Sequence, residues 1–202
     1  MIAIIDYNTG NLKSLENALT RLGAEYVVTS GENVVRSAER VLLPGVGEAS
    51  SAMDNLRLTG LDKVIPTLTV PVLGICIGMQ LMCLHSDEGN VDGMGVFHTC
   101  VRRFSPEDSS PEERIKIPHV GWNSVSASAS PLFDGIPSGA WFYYVHSFFA
   151  ETCTDTIAST SYGKRTFSAS LRRDNFFGVQ FHPEKSGAIG SRLLSNFLKM
   201  SL

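Results

Sequence analysis

The feature that most restricts this fold is an alternation in the first eighty-odd residues. Short runs that are apolar at nearly every position are separated by segments with helical spacing. Residues 2–6 form the first apolar run. A strand that is apolar on both faces has to be covered on both, which is the situation of a parallel sheet flanked by helices. Leu12, Leu15, Leu19 and Leu22 then recur as one stripe of an amphipathic helix. Asn11 fits an N-cap and Gly23 the residue just past the helix end. Residues 25–29, 40–43 and 70–75 read as further strands, with Pro71 near a strand start, where proline is tolerated. Residues 77–85 read as the helix that follows.

From residue 96 the pattern becomes β-rich: residues 96–104, 121–126, 141–150 and 156–161 read as strands. Residues 167–171 and 176–181 flank Arg172-Arg173-Asp174-Asn175 as a hairpin, and Ile189, Leu193, Leu194, Phe197 and Leu198 mark a last helix. Residues 105–113, rich in Pro, Ser and acid, read as a surface loop. Without a repeat, a low-complexity tract or a composition break, the expectation is one domain over residues 1–202. Its class is α/β: a mostly parallel central sheet flanked by helices, with additional antiparallel strands.

With 43% hydrophobic and 18% charged residues, the chain can bury a core. A net charge of −3 without a basic stripe argues against a nucleic-acid binder. The longest apolar run, residues 70–84, holds Pro71 and Gln80 and is too short to span a bilayer. The first residues lack the basic region of a secretory signal. Four cysteines in a chain of this length, without a signal or dense spacing, point to free thiols in a reducing cytoplasm, and the lack of a CxxC pair argues against a structural zinc site. No cofactor is expected.

One thiol stands apart. Gly74-Ile75-Cys76-Ile77-Gly78 is G-x-C-x-G at a strand-to-helix junction, the thiol counterpart of a serine nucleophile elbow. A tight turn projects the sulfur free of its strand, and the flanking glycines leave room for close approach. The helix start places unpaired N–H groups beside the sulfur, favouring the thiolate. The N–H of Ile77 is aimed where an oxyanion would form. The same pattern also fits a small buried cysteine between two packing glycines, and Cys83 reads as core.

A thiol nucleophile needs a base. His182 ends an apolar strand and precedes Pro183-Glu184. Proline holds the preceding residue extended, so His182 and Glu184, two apart, project to the same side. The carboxylate can then orient the imidazole, giving a Cys, His, Glu order. A strand end with a solvated carboxylate is the plainer alternative. Pro44-Gly45-Val46-Gly47 follows a strand and suits a loop whose N–H groups face a ligand. An ordinary βα connection fits it too. A dinucleotide-binding reading fails there, because Ser50 stands where the third glycine is needed. Gln80 lies one helical turn after Cys76, either as a substrate contact or as a cap.

Taken together, Pro-Gly-x-Gly, Gly-x-Cys-x-Gly-x-Gln and His-x-Glu resemble the class I (triad) glutamine amidotransferases along nearly the whole chain. The resemblance implies hydrolysis of glutamine to glutamate and ammonia. Cys76 would be the nucleophile, His182 the proton shuttle and Glu184 its orienter. Gly45, Val46, Gly47 and Ile77 would supply oxyanion donors, and Gln80, Ser147 and Phe148 would help bind L-glutamine. Where Phe148 stands the family often has Tyr or another polar residue, so a backbone contact is expected there.

Ile5-Asp6-Tyr7-Asn8-Thr9-Gly10-Asn11-Leu12, Pro118-His119-Val120-Gly121-Trp122-Asn123 and Tyr143-Tyr144-Val145-His146-Ser147 narrow the resemblance further. So does Phe181-His182-Pro183-Glu184-Lys185-Ser186. Together they are similar to the glutaminase subunits of imidazole glycerol phosphate synthases of histidine biosynthesis. In those proteins the glutaminase docks on a (β/α)8-barrel cyclase that makes imidazole glycerol phosphate and AICAR, and ammonia passes through the barrel. Asn11, Lys13, Pro118, His119 and Trp122 would lie at or near that partner face, and Tyr143 near the glutamine pocket. Low activity is expected for the chain without its partner, because the glycines of residues 44–47 make a peptide flip easy. The competing readings are a glutaminase feeding another barrel synthase, a thiol hydrolase or redox protein of similar form, and a non-catalytic binding subunit.

Overall fold

Strands pair edge to edge through their backbones and leave their apolar faces to be covered by helices and loops, and here the pairing produces one large sheet and one small one. The computed structural model describes residues 1–8, 12–110 and 114–201. In chain order the first elements are β1 (Ile2–Ile5), α1 (Lys13–Arg21), β2 (Tyr26–Thr29), α2 (Glu32–Ser37), β3 (Arg40–Leu43), α3 (Ala49–Thr59) and α4 (Leu61–Val64). Then come β4 (Val72–Ile75), α5 (Ile77–Leu81), β5 (His85–Ser86), β6 (Val91–Asp92), β7 (Cys100–Arg103) and β8 (His119–Ala127). The last are β9 (Ala140–His146), β10 (Phe148–Ala150), β11 (Thr156–Tyr162), β12 (Arg165–Arg173), β13 (Phe176–Val179) and α6 (Gly187–Lys199).

The large sheet runs β2-β1-β3-β4-β13-β12-β11-β8-β9. Neighbours from β2 to β13 are parallel, and from β13 to β9 antiparallel. This is the expected α/β class with its antiparallel additions. β1, β4 and β13 are buried at every position, as strands covered on both faces must be. α1 lays Leu15, Ala18 and Leu19 against the core. It ends in a Schellman arrangement: Ala24 N–H reaches Leu19 O, Gly23 N–H reaches Thr20 O, and Gly23 takes φ +69°. The proposed Asn11 cap lies outside the described residues.

Four expectations are corrected. The helix after Cys76 stops at Leu81 rather than at residue 85. The carbonyls of Leu81, Met82 and Cys83 accept from the N–H groups of Met94, Phe97 and Gly95, so they are taken by the returning chain and the helix cannot continue. The run 141–150 is broken at Ser147, whose carbonyl accepts from Phe104 N–H, and its two halves belong to different sheets. Its second half, β10, joins the small sheet β10-β7-β5-β6, and of residues 96–104 only Cys100–Arg103 form strand. Within residues 105–113, Asp108 is buried, closes a capping box with Ser105 and pairs with Arg165.

Candidate active site

The site is built where β4 and β13 lie side by side. They pair in parallel with Gly74 opposite Gly178 and Ile75 opposite Val179. The next residues, Cys76 and Gln180, therefore leave the sheet together, and Cys76 N–H donates to Val179 O at 2.8 Å. Active sites of open α/β sheets form at such carboxyl ends of strands.

Cys76 has φ +54° and ψ −111°, a strained conformation for a residue with a Cβ. Close packing holds it there. A Cβ on Gly78 would lie 1.7 Å from the Leu43 carbonyl oxygen, and one on Gly74 would meet the Gly78 carbonyl at 2.7 Å. The glycines of the G-x-C-x-G motif thus pack the turn against β3 and against each other. Ile77 is the first residue of α5, so its N–H has no acceptor within the helix.

Cys76 lines a cavity of about 270 Å³ together with Val46, Gly47, Ile77 and Gln80. Ser147, Phe148, Pro118 and His182 complete much of its wall. Glu88, Val145 and His146 line it as well, three residues that sequence reasoning did not place there. Gly45 is set behind the cavity wall, in a small crevice with Pro44, His182 and Glu184. A Cβ on it would meet the Tyr7 hydroxyl and Ile77. The Tyr7 hydroxyl in turn donates to the Pro44 carbonyl at 2.6 Å.

His182 Nδ1 lies 2.8 Å from Glu184 Oε1, both side chains being almost wholly buried. The His182 backbone is held on both sides: its N–H donates to Tyr143 O, and its carbonyl accepts from the Ser186 hydroxyl. Burial alone would push the imidazole down. The nearby Cys76 sulfur and the Glu184 carboxylate outweigh that and raise it to about 10. Among the described residues, four buried side-chain nitrogen or oxygen atoms have no hydrogen-bond partner. Three of them, His182 Nε2, Gln80 Oε1 and Glu184 Oε2, belong to this site. Such clustering of unpaired polar atoms is a mark of function rather than of packing.

Gln80 does not cap the helix. It is buried, and its Nε2 donates to Phe148 O and to Gln180 Oε1, both at 2.9 Å. Phe148 meets Gln80 through its backbone carbonyl. Glu88, half-buried, is raised by burial although it accepts from the Ala49 N–H. Tyr143 does not line the cavity; its ring packs edge-on against Trp122.

Of the residues expected at a partner face, Lys13, Pro118 and Trp122 are exposed, and Asn11 lies outside the described residues. His119 is corrected: it is only 3% exposed, stacked on Tyr144 and Tyr162. Side chains alternate along β8, so Val120 and Trp122 face out and His119 faces in. Val120 pairs with Val145 and Trp122 with Tyr143, which sets exposed apolar side chains on one face beside the cavity. Among the described residues no helix is long and apolar enough to cross a membrane.

Solved structures share the fold. A proposed GMP synthase subunit from Thermoplasma acidophilum superposes with a TM-score of 0.74 at 20% identity, covering 98% of this chain and 91% of that one. The PurLQS structure from Thermotoga maritima gives 0.70 at 16%, covering 98% and 96%. In sequence, the chain is 47% identical to imidazole glycerol phosphate synthase subunit HisH of Bacteroides thetaiotaomicron, over 98% of this chain and 99% of that protein. It is 43% identical to the subunit of the same name from Yersinia pseudotuberculosis, over 98% and 99%. The profile described as "Glutamine amidotransferase class-I" matches residues 3–200, and the chain belongs to the class-I glutamine amidotransferase family.

Proposed function

We propose that the chain is the glutaminase subunit of an imidazole glycerol phosphate synthase, acting in the cytoplasm in L-histidine biosynthesis. It hydrolyses L-glutamine and hands the ammonia to a (β/α)8-barrel cyclase subunit with which it forms a heterodimer. The names of the relatives that match it over nearly their whole length support the assignment. The observation that carries the chemistry is the strained Cys76 sharing a cavity with an imidazole whose Nε2 is free and whose Nδ1 is held by a carboxylate.

The steps follow from that arrangement. The Cys76 thiolate attacks the side-chain carbonyl carbon of glutamine, and the Ile77 N–H stabilises the oxygen that becomes negative. The His182 imidazolium, cationic at neutral pH, gives its Nε2 proton to the leaving nitrogen. Ammonia departs and a thioester remains. His182 then takes a proton from water, which attacks the thioester and releases glutamate and Cys76. Glu184 keeps the imidazole oriented throughout. Gln80 Oε1, an unpaired acceptor, receives a donor from the substrate. The apolar face of Val120, Trp122 and Val145 beside the cavity mouth suits docking of the cyclase.

The test compares glutamate release by the purified chain alone and with the cyclase, with 6-diazo-5-oxo-norleucine as covalent probe. Labelling of Cys76 and release that rises on adding the cyclase are expected, with both lost in Cys76→Ala. Equal release with and without the cyclase removes the partner-dependent step, and hydrolysis that survives Cys76→Ala removes the nucleophile.

A further inference from the structure

A chain of hydrogen bonds with only one possible direction runs from the inner face of β8 to the Cys76 sulfur. It begins at the Phe148 carbonyl, which can only accept. His146 Nδ1 lies 2.7 Å from that oxygen and must therefore carry the proton, leaving His146 Nε2 as an acceptor. His119 Nδ1, 2.9 Å from His146 Nε2, then donates, and Asn123 Nδ2 lies 3.4 Å from His119 Nε2. Burial holds both rings neutral, His119 at about 4 and His146 at about 3, so each keeps one donor and one acceptor.

The same carbonyl fixes the other branch. Gln80 must present its NH2 to Phe148 O, and that NH2 also meets Gln180. Gln180 is then obliged to turn its oxygen to Gln80 and its own NH2 to Cys76, with Nε2 3.6 Å from Sγ. The amide is completely buried and has no freedom to reverse without leaving two NH2 groups face to face. The inference rests on Cys76 being the nucleophile, as proposed above.

We infer that Gln180 is a positioning residue: its amide, locked by Gln80, the Phe148 carbonyl and His146, donates an N–H to the Cys76 sulfur and favours the reactive anion. The same lock leaves Gln80 Oε1 pointing free as an acceptor for substrate. A donor to sulfur stabilises the thiolate over the thiol. The other ionisable groups around Cys76 are His182 with Glu184 behind it, Glu88 across the cavity, and neutral His146 on β9. None of these changes in a Gln180 variant.

The test is the pH profile of Cys76 alkylation by iodoacetamide, read at that residue by peptide mass spectrometry on the full chain. Gln180→Met keeps length and removes the donor, and Gln180→Leu removes the amide without adding a titratable group. Both should move the profile to higher pH by about one unit, which is about tenfold slower alkylation at pH values below the parent's midpoint. Profiles that coincide with the parent protein overturn the inference. If neither variant folds, the parent decides: the Gln180 side-chain amide resonance should shift with pH as Cys76 ionises and lose that shift in Cys76→Ala. An amide resonance indifferent to pH overturns the inference just as surely. Alkylation needs no glutamine, so a shifted profile in a protein that never hydrolyses glutamine refutes the glutaminase reading alone.

Discussion

Replacing His146 with glutamine should remove about 2 kcal/mol of the stability that the protein loses on going from about pH 7.5 to about pH 5. The magnitude follows from the two buried imidazoles. His146 is pushed down to about 3 and His119 to about 4, both chiefly by burial. Their folded values lie below the unfolded value of about 6.5, so the unfolded chain takes up protons that the native one refuses. Stability is therefore full above about pH 6.5 and falls as pH drops toward the folded values. At about pH 5 each ring costs about 2 kcal/mol, or about 4 for both, a large share of a typical domain's 5–15. His182 is raised, so its contribution is already complete below about 6.5 and is lost only as pH climbs toward 10. Between about pH 7.5 and 6.5 it regains part of that contribution and so offsets some of the loss, equally in the parent and the variant, which leaves their difference unchanged. Urea unfolding of His146→Gln and the parent at both pH values gives the difference directly, whatever the variant loses at neutral pH. His119 keeps its own depression, which burial alone causes. If the two proteins lose the same stability between the two pH values, within about 0.5 kcal/mol, the burial argument is wrong.

Three further outcomes are expected. Gly78→Ala would drive a methyl to within 1.7 Å of the Leu43 carbonyl, so thermal melting should show either an unfolded protein or a loss of more than about 3 kcal/mol. Trp122→Ala, at a 52% exposed position, should leave melting of the isolated chain within about 0.5 kcal/mol and weaken cyclase binding by about 2 kcal/mol in titration calorimetry. Glu184→Gln should lower kcat for glutamine about a hundredfold or more, with a smaller change in KM, since it releases the imidazole that performs both proton transfers.

The parts of the fold legible in the sequence are those where one local pattern decides. β1 and β4 carry no polar side chain, β3 only Arg40 at its start, and the leucine stripe of α1 has a single buried face. The Cys76 turn was legible because glycines at both flanks leave few alternatives, and the pairing of His182 with Glu184 because proline fixes the chain between them. What escaped depends on distant segments. α3 buries only Ala49, Ala52, Met53 and Leu56, a stripe too weakly apolar to stand out. α5 is cut short by carbonyl partners from residues 94–97. His119 looked like surface because it stands between exposed neighbours in a motif, whereas strand alternation turns it inward. Gln180 escaped because it closes an apolar run just past β13; the one available signal was a lone amide two residues before the histidine.

The β4–β13 register has a consequence for how the protein comes into being. Gln180 and Cys76 are 104 positions apart, and His182 is further still. During synthesis a ribosome releases the cysteine long before the strand that completes its surroundings has been made. Until β13 docks, that thiol has neither its imidazole nor its amide neighbour, and it behaves as an ordinary cysteine. Reactivity is thus acquired only with the final, longest-range closure of the sheet. Newborn and misfolded chains are spared an active nucleophile, and fast alkylation of Cys76 becomes a direct readout of completed folding.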